Sequence, residues 1–381
     1  MKNFRVGVDI GGTFTDIVFL NAEGQLFTKK VPSSVDDYAR AIVEGMSEVF
    51  GEAGLKPEDI DELRHGTTVA SNACLELKGA KVGLITSAGF RDILEIRTLR
   101  MPVLYDLTWE KPPALVERYL RQVVDERISS NGVVERAPKR SDIEKVVDCL
   151  LEQNVEAIAV CLINSYANPE HEQLIAEVVS QKAPDLPLCI SSDVLPEMKE
   201  YERTSTTVIN AYVLPVVATY LSALRKGLDK GGISVPIYLM QSNGGLTTSE
   251  AASRLPMHII ESGPAGGVIG SQSIADASGI ENVITFDMGG TTAKTSMITR
   301  GEVTRALDMQ VGGGIMHGSR LMTGAGYALK VPAIDLAEVG AGGGSILSID
   351  AGGSLKAGPE SAGASPGPVC YDAGGKQPTI T

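Results

Sequence analysis

Residues 6–24 read VGVDIGGTFTDIVFLNAEG, and residues 284–301 read ITFDMGGTTAKTSMITRG. Each stretch runs an apolar strand into an aspartate, one further residue and Gly-Gly-Thr, then resumes as a second strand that ends in a turn. In the first copy, Asp9, Gly11, Gly12 and Thr13 stand where one strand doubles back on its partner. Glycine lets the backbone approach a phosphate with no Cβ in the way, successive amide N–H groups form an anion nest, and the threonine hydroxyl adds a donor. An aspartate at a strand end suits Mg²⁺, which keeps several waters and takes few carboxylates. A single such hairpin is explained as readily by an ordinary tight turn. Two in one chain, each after an apolar strand, favour two phosphate loops on two similar lobes that face each other across a cleft. Neither copy leads straight into a helix, which separates them from the Walker A loop and the dinucleotide fingerprint.

Outward from the first hairpin, LFTKKV continues a meander, and residues 38–50 place Ala41, Ile42, Met46, Val49 and Phe50 on one helical face. DELRHGTTVASNACLELKG then reads as a loop entering a helix. Strands at KVGLITS, VEAIAVCLI and PLCISS alternate with helices over residues 141–153 and 170–181, the pattern of a doubly wound sheet with parallel portions. The proline- and charge-rich stretch from 97 to 138 resists the pattern and reads as an insertion. A second series follows: a helix over 199–226, the strand PIYLMQ, HIIES leading through GPAGG into a helix, and the strand VITFD. The expected division is therefore 1–195 for one lobe and 196–381 for the other, with the change near residues 190–200. A chain of 381 residues suits two cores better than one.

Other glycines and polar clusters leave alternatives. Gly342, Gly343, Gly344 and Ser345 fit either an adenosine-side contact or a hinge. SGPAGG at 262–267 offers a helix N-terminus to an anion, and equally allows close packing of helix on strand. His65, Thr67 and Thr68 enter a helix, where an N-cap with satisfied hydroxyls is the slightly favoured reading. His171 reads as solvent-facing, His258 as a core histidine, and His317 as a cleft or loop residue. The five cysteines, Cys74, Cys149, Cys161, Cys189 and Cys370, are scattered without metal-ligand spacing, which suits reduced thiols; Cys161 in VEAIAVCLI reads as core.

Net charge of −13 opposes binding to nucleic-acid phosphates and anionic membrane surfaces. The apolar stretches read as strand-sized and interrupted, and MKNFRVGVDI lacks a signal-peptide core, so the expected location is cytoplasmic.

DIGGTFTD, HGTTVASNACLE, INSYANPEHE, QSNGG, ESGPAGGVIG, FDMGGTTAK, GAGGGSI and SAGASPGPVCY occur in the order found in the hydantoinase/oxoprolinase family, which the chain resembles over essentially its whole length. The resemblance is to the N-methylhydantoinase A type of subunit, also similar to the ATP-handling subunits of acetone and acetophenone carboxylases. It implies a two-lobed, actin-like (RNase H-like) α/β ATPase fold with a duplicated phosphate-binding hairpin. It further implies ATP with Mg²⁺ or Mn²⁺, and phosphorylation of a cyclic amide's carbonyl oxygen ahead of ring opening. A second large subunit of the hydantoinase B type is the implied partner, and relatives continue into a further C-terminal domain.

Carried onto this sequence, Asp9 and Asp287 become metal-holding and catalytic candidates. Gly11, Gly12, Thr13, Thr15 and Asp16 fall on the first phosphate loop, and Gly289, Gly290, Thr291 and Thr292 on the second. Gly342, Gly343, Gly344 and Ser345 fall on the adenosine side, and His65, Thr67 and Thr68 on the substrate side. Lys294 stands where many relatives carry an acid; it matches Asp16 in the repeat, and a cation there suits a clamp on the γ-phosphate. Relatives often place a histidine before GAGGGS, where this chain has Ala337 and Glu338, a departure that leans toward the carboxylase branch. The alternatives to a cyclic-amide hydrolase are the ATP-using component of a ketone carboxylase and a nucleotide-driven binding module.

Overall fold

The computed structural model describes residues 3–11, 14–33, 38–99, 107–290, 292–312, 325–339, 341–363 and 366–381. Gly12, Thr13, Thr291 and His317 therefore lie outside the described residues. The hairpin at the start forms as its alternation requires: β1 (Phe4–Ile10) pairs antiparallel with β2 (Phe14–Asn21), and β2 with β3 (Leu26–Pro32). Phe4, Val6, Val8 and Ile10 point to one side of β1 and are buried, which leaves Arg5, Gly7 and Asp9 on the other. Helix α1 (Tyr38–Ala53) covers the buried side through Ile42, Met46 and Val49.

β4 (Ile60–Thr67) pairs parallel with β1. Residues 61–67, expected within a loop entering a helix, are thus part of a central strand; the charged residues Glu62 and Arg64 hid an alternation whose other phase, Leu63, His65 and Thr67, is buried. Helix α2 (Val69–Leu75) follows directly. Strand Ile237–Met240 pairs parallel with β4 and antiparallel with Leu246–Thr248, which completes a six-stranded sheet. A change of lobe near 190–200 is not where the sheets change: residues 237–248 still belong to the sheet begun by β1.

A four-stranded parallel sheet follows the order Leu188–Ile190, Ala157–Cys161, Val82–Ser87, Arg121–Val124. Its last strand comes from the stretch read as an insertion, so 121–124 is part of the sheet. Helices Arg140–Glu152 and Glu170–Lys182 stand close to the expected ranges. His171, expected at the surface, is buried, with its Nδ1 2.7 Å from Glu126 Oε2. It shares the i, i+4, i+7 face with Ile175 and Val178, and that face meets the sheet. Cys161 is buried as expected, and it accepts hydrogen bonds from Arg203 and Thr204.

Helix Glu200–Lys230 is long and apolar enough to cross a membrane by length and composition, contrary to the reading of the apolar stretches as strand-sized. Its apolar side chains, Val208, Ile209, Val213, Val217, Leu221 and Leu224 among them, are buried in the core shared by both sheets. The second hairpin, Val283–Met288 with Ala293–Thr299, lies in a separate sheet with Glu302–Val303 and Ala337–Val339. A smaller core around Ala265, Val268, Ile298, Val303 and Ile334 joins that sheet to helix Ser262–Ala277.

Candidate functional site

The two hairpins turn in the same way. The Gly11 amide donates to the Phe14 carbonyl at 2.9 Å, and the Gly289 amide to the Thr292 carbonyl at 3.0 Å, the equivalent bond in the second copy. Register extends the likeness: Asp9 faces Asp16 across the first hairpin, and Asp287 faces Lys294 across the second. The structure therefore makes Lys294 the counterpart of Asp16.

The two loop aspartates lie near each other, and the sign is in Asp9. Its carboxyl is pushed up to about 6, first by the protein around it, then by the negative charge of Asp287 and of Asp16, against the lowering influence of Lys30. Asp9 as a residue remains exposed on its side of β1. Helix Ser262–Ala277 spans the two aspartates. A Cβ on Gly263 would lie 3.3 Å from Asp9 Oδ1, and one on Gly267, a turn later on the same face, 3.8 Å from Asp287 Oδ2. Gly66, opposite Asp9 on β4, leaves only 3.0 Å between a Cβ and Asp9 Oδ1. Gly66 and Gly263 thus crowd Asp9 at positions that the sequence reading did not assign, and Gly267 passes Asp287 at an ordinary distance. The spacing of four in SGPAGG was the available signal for the last two.

The rows across the two sheets differ in charge. The first runs Gly66, Asp9, Asp16, Lys30, with Lys30 Nζ 2.6 and 2.7 Å from the two Asp16 oxygens. The second runs Asp287, Lys294, Glu338. Lys294 is ion-paired with Glu261, the residue that precedes helix Ser262–Ala277. Burial raises the Glu338 carboxyl, Lys294 opposes the shift and Glu261 adds to it. Lys294 is accordingly held between two carboxylates, which qualifies its reading as a phosphate clamp.

Several candidates have other work. Thr15 sits on the buried side of β2, opposite Ile10; its hydroxyl is 3.0 Å from Ser33 Oγ, which donates to the Gly11 carbonyl at 2.8 Å. It supports the loop from behind and does not line it. His65 is buried with Nδ1 3.2 Å from the Val8 carbonyl and Nε2 2.5 Å from Tyr220 Oη, and burial lowers its pKa to about 4. The period of two explains why: Gly66 shares the face of Asp9, so His65 points into the core. Thr67 is likewise buried, exchanging hydrogen bonds between its backbone and Ser262 Oγ. Both side chains are therefore tied into the framework behind the loop. Thr68 is half-buried and donates to the Ile10 carbonyl at 3.2 Å, and its methyl faces Gly263.

The third glycine cluster has a backbone reason. The Gly343 amide donates to the Gly289 carbonyl at 2.8 Å and the Gly344 amide to the Gly290 carbonyl at 2.7 Å. A Cβ on Gly344 would stand 2.8 Å from that same Gly290 oxygen. Gly342 donates to Ser345 Oγ at 3.0 Å. Among the described residues no group of three or more His, Cys, Asp and Glu is placed to hold a metal. A hydrated Mg²⁺ needs fewer protein ligands, and Asp9 and Asp287 are carboxylates at equivalent places on the two hairpins.

Fold and site together define a mixed α/β protein organised around two opposed glycine-aspartate hairpins. The hydantoinase/oxoprolinase N-terminal region matches residues 5–183, the hydantoinase/oxoprolinase model matches residues 203–381, and the chain belongs to this family. An uncharacterized protein of Methanocaldococcus jannaschii is 41% identical over 100% of this chain and 56% of its own length. The crystal structure of an ATP-dependent caprolactamase from Pseudomonas jessenii is 37% identical, with a TM-score of 0.84 over 99% of this chain and 54% of that one. A nucleotide-free acetone carboxylase structure is 27% identical, with a TM-score of 0.82 over 100% of this chain and 54% of that one. The chain thus spans about half the length of these relatives.

Proposed function

We propose that this chain is the nucleotide-handling part of an ATP-dependent enzyme that opens a cyclic amide, a hydantoin, oxoproline or lactam, on an actin-like two-lobed fold. The observation that carries the reading is the convergence of Asp9 and Asp287 from two equivalent loops, with helix Ser262–Ala277 bare of side chains at Gly263 and Gly267 where it passes them. Phosphates seated between the loops would meet backbone amides from both, and Asp9 and Asp287 would hold Mg²⁺ or Mn²⁺, which neutralises phosphate charge when bound.

In this reading the amide carbonyl oxygen attacks the γ-phosphorus and ADP leaves. Water then adds to the activated carbon, the ring C–N bond breaks as the nitrogen takes a proton, and a second water hydrolyses the resulting acyl phosphate to carboxylate and phosphate. The protein's share of the first step is positioning and charge neutralisation. Likeness to the caprolactamase at 37% identity, against 27% for the acetone carboxylase, supports the amide over the ketone. A carboxylase role is the second reading, because the stretch before GAGGGS, where relatives often carry a histidine, has Ala337 and Glu338 here. A cytoplasmic location and a second large subunit complete the proposal. The test is ATPase activity under substrate stimulation. Stimulation by hydantoin, 5-oxoproline or caprolactam is the expected result; stimulation by a ketone with bicarbonate alone would transfer the assignment, and response to neither would leave a nucleotide-driven binding module.

A further inference from the structure

The side of the first hairpin that faces the core is, in the second hairpin, open to solvent. Aligned on the loop aspartates, Ile284, Phe286 and Met288 fall on Val6, Val8 and Ile10 of β1, and Met297 falls on Phe19 of β2. The register agrees, because Val6 faces Phe19 across the first hairpin and Ile284 faces Met297 across the second. In the first copy none of these positions is more than 3% exposed, whereas Ile284 is 75%, Phe286 60%, Met288 44% and Met297 51% exposed. The ordinary alternation is thereby inverted: Thr285 and Ser296, a directly opposed pair, are buried, and their apolar neighbours face outward.

The neighbours of the two hairpins explain the difference. On the aspartate-bearing side, helix Ser262–Ala277 passes both, near Asp9 at Gly263 and near Asp287 at Gly267. On the other side, α1 covers the first hairpin through Ile42, Met46 and Val49, and the exposures show that no described element does the same for the second. The edges differ in the same sense. β1 lies between β2 and the parallel β4, whereas Val283–Met288 pairs with Ala293–Thr299 on one edge and, among the described residues, with no strand on the other. A free strand edge beside a continuous apolar face marks an interaction surface.

We propose that this face is the docking surface for a strand and an amphipathic helix. The strand extends the sheet parallel to Val283–Met288, as β4 does beside β1, and the helix lays an apolar stripe over Ile284, Phe286, Met288 and Met297, as α1 does over their counterparts. The occupant is polypeptide of the kind that the relatives carry outside the stretch matched here. They have the length for it, since this chain covers 56% of the Methanocaldococcus jannaschii protein and 54% of the caprolactamase. The inference does not depend on which ring or ketone is the substrate. It bears on nucleotide handling, because the loop with Asp287 and Gly289 leaves this hairpin, and the docked pair would support that loop as β4 and α1 support the first.

The test is thiol labelling in a Cys370→Ser background, which removes the exposed native thiol. Ile284→Cys and Met297→Cys report on the face, and Leu26→Cys, at a 57% exposed position of β3, is the reference. In the 381-residue chain all three should label at similar rates, whatever the protein concentration. The chain is then extended after Thr381 with the part of the caprolactamase that lies beyond the matched stretch, and separately with that of the Methanocaldococcus jannaschii protein. At least one extension should slow Ile284→Cys and Met297→Cys roughly tenfold or more and leave Leu26→Cys unchanged. Unchanged rates in both extended chains would overturn the proposal. Slow labelling of the unextended chain at every concentration would show the face already covered from within. Slowing that grows with concentration, together with a dimer in sedimentation, would give the face to a second copy. Either of these results would also overturn it.

Discussion

The two hairpins share a motif and a turn but sit in different surroundings. The first is central in a six-stranded sheet, with one side of β1 wholly buried and glycines pressed against Asp9 from β4 and from helix Ser262–Ala277. The second belongs to a smaller sheet: Ile284 and Phe286 remain exposed, and its partner core is a handful of residues. The repeated sequence therefore sets the loop, whereas the neighbours set the electrostatics. On the first row an acid answers Asp9; on the second a lysine answers Asp287, and that lysine is already claimed by Glu261.

The sharpest way to break the comparison is to neutralise each aspartate. Asp9→Asn and Asp287→Asn should each cost Mg·ATP binding about 1.5–3 kcal/mol, the size of a charge-assisted contact, with the fold intact. Calorimetry giving unchanged affinity in either variant would remove that loop from the site. The cations come next. Lys294→Ala strands Glu261, whose side chain is only 15% exposed, and should lower unfolding stability by about 1–3 kcal/mol. Lys30→Ala breaks the pair with Asp16, whose members are 56% and 48% exposed, and should cost about 1 kcal/mol or less. Equal losses in denaturant titrations would show that the two rows are energetically alike.

A pH series tests whether the loops truly face each other. Asp9 titrates at about 6 in the folded chain against an ordinary 3.8, so it holds its proton more tightly when folded. Its contribution to stability is present at low pH and lost as pH rises through about 6. Cation binding runs the other way, because it needs the carboxylate, and Mg·ATP affinity should fall as pH drops below about 6. In Asp287→Asn that midpoint should move down, since one cause of the raised value is gone; an unmoved midpoint would place Asp287 elsewhere. The smallest effects belong to the glycines. Gly66→Ala puts a Cβ 3.0 Å from Asp9 Oδ1 and should weaken Mg·ATP measurably. Gly267→Ala makes an ordinary 3.8 Å contact with Asp287, should leave affinity unchanged, and gains up to about 1 kcal/mol of helix propensity. The reverse ranking would mean that the helix crowds the second loop and not the first.

Much of this was legible in residues alone. The duplicated strand, aspartate and glycines specify two hairpins because period-2 burial and a Gly-Gly turn leave few alternatives, and the helices near 141–153 and 170–181 follow from their apolar spacing. The match of Lys294 to Asp16 came from counting within the repeat, and the register confirms it. The polarity of His65 and Thr15 suggests a site, whereas strand alternation turns both inward, where Tyr220 and Ser33 satisfy them. His171 failed for the converse reason: a charged neighbourhood masked a core-facing helical position. What only the tertiary structure decided is which groups from remote segments share one space. Gly66, Gly263 and Gly267 gather around the two aspartates, and Glu261 takes Lys294. Local sequence carries backbone preference and burial phase, but contacts between segments depend on how sheets and helices close on one another, and that is set by packing of the whole chain.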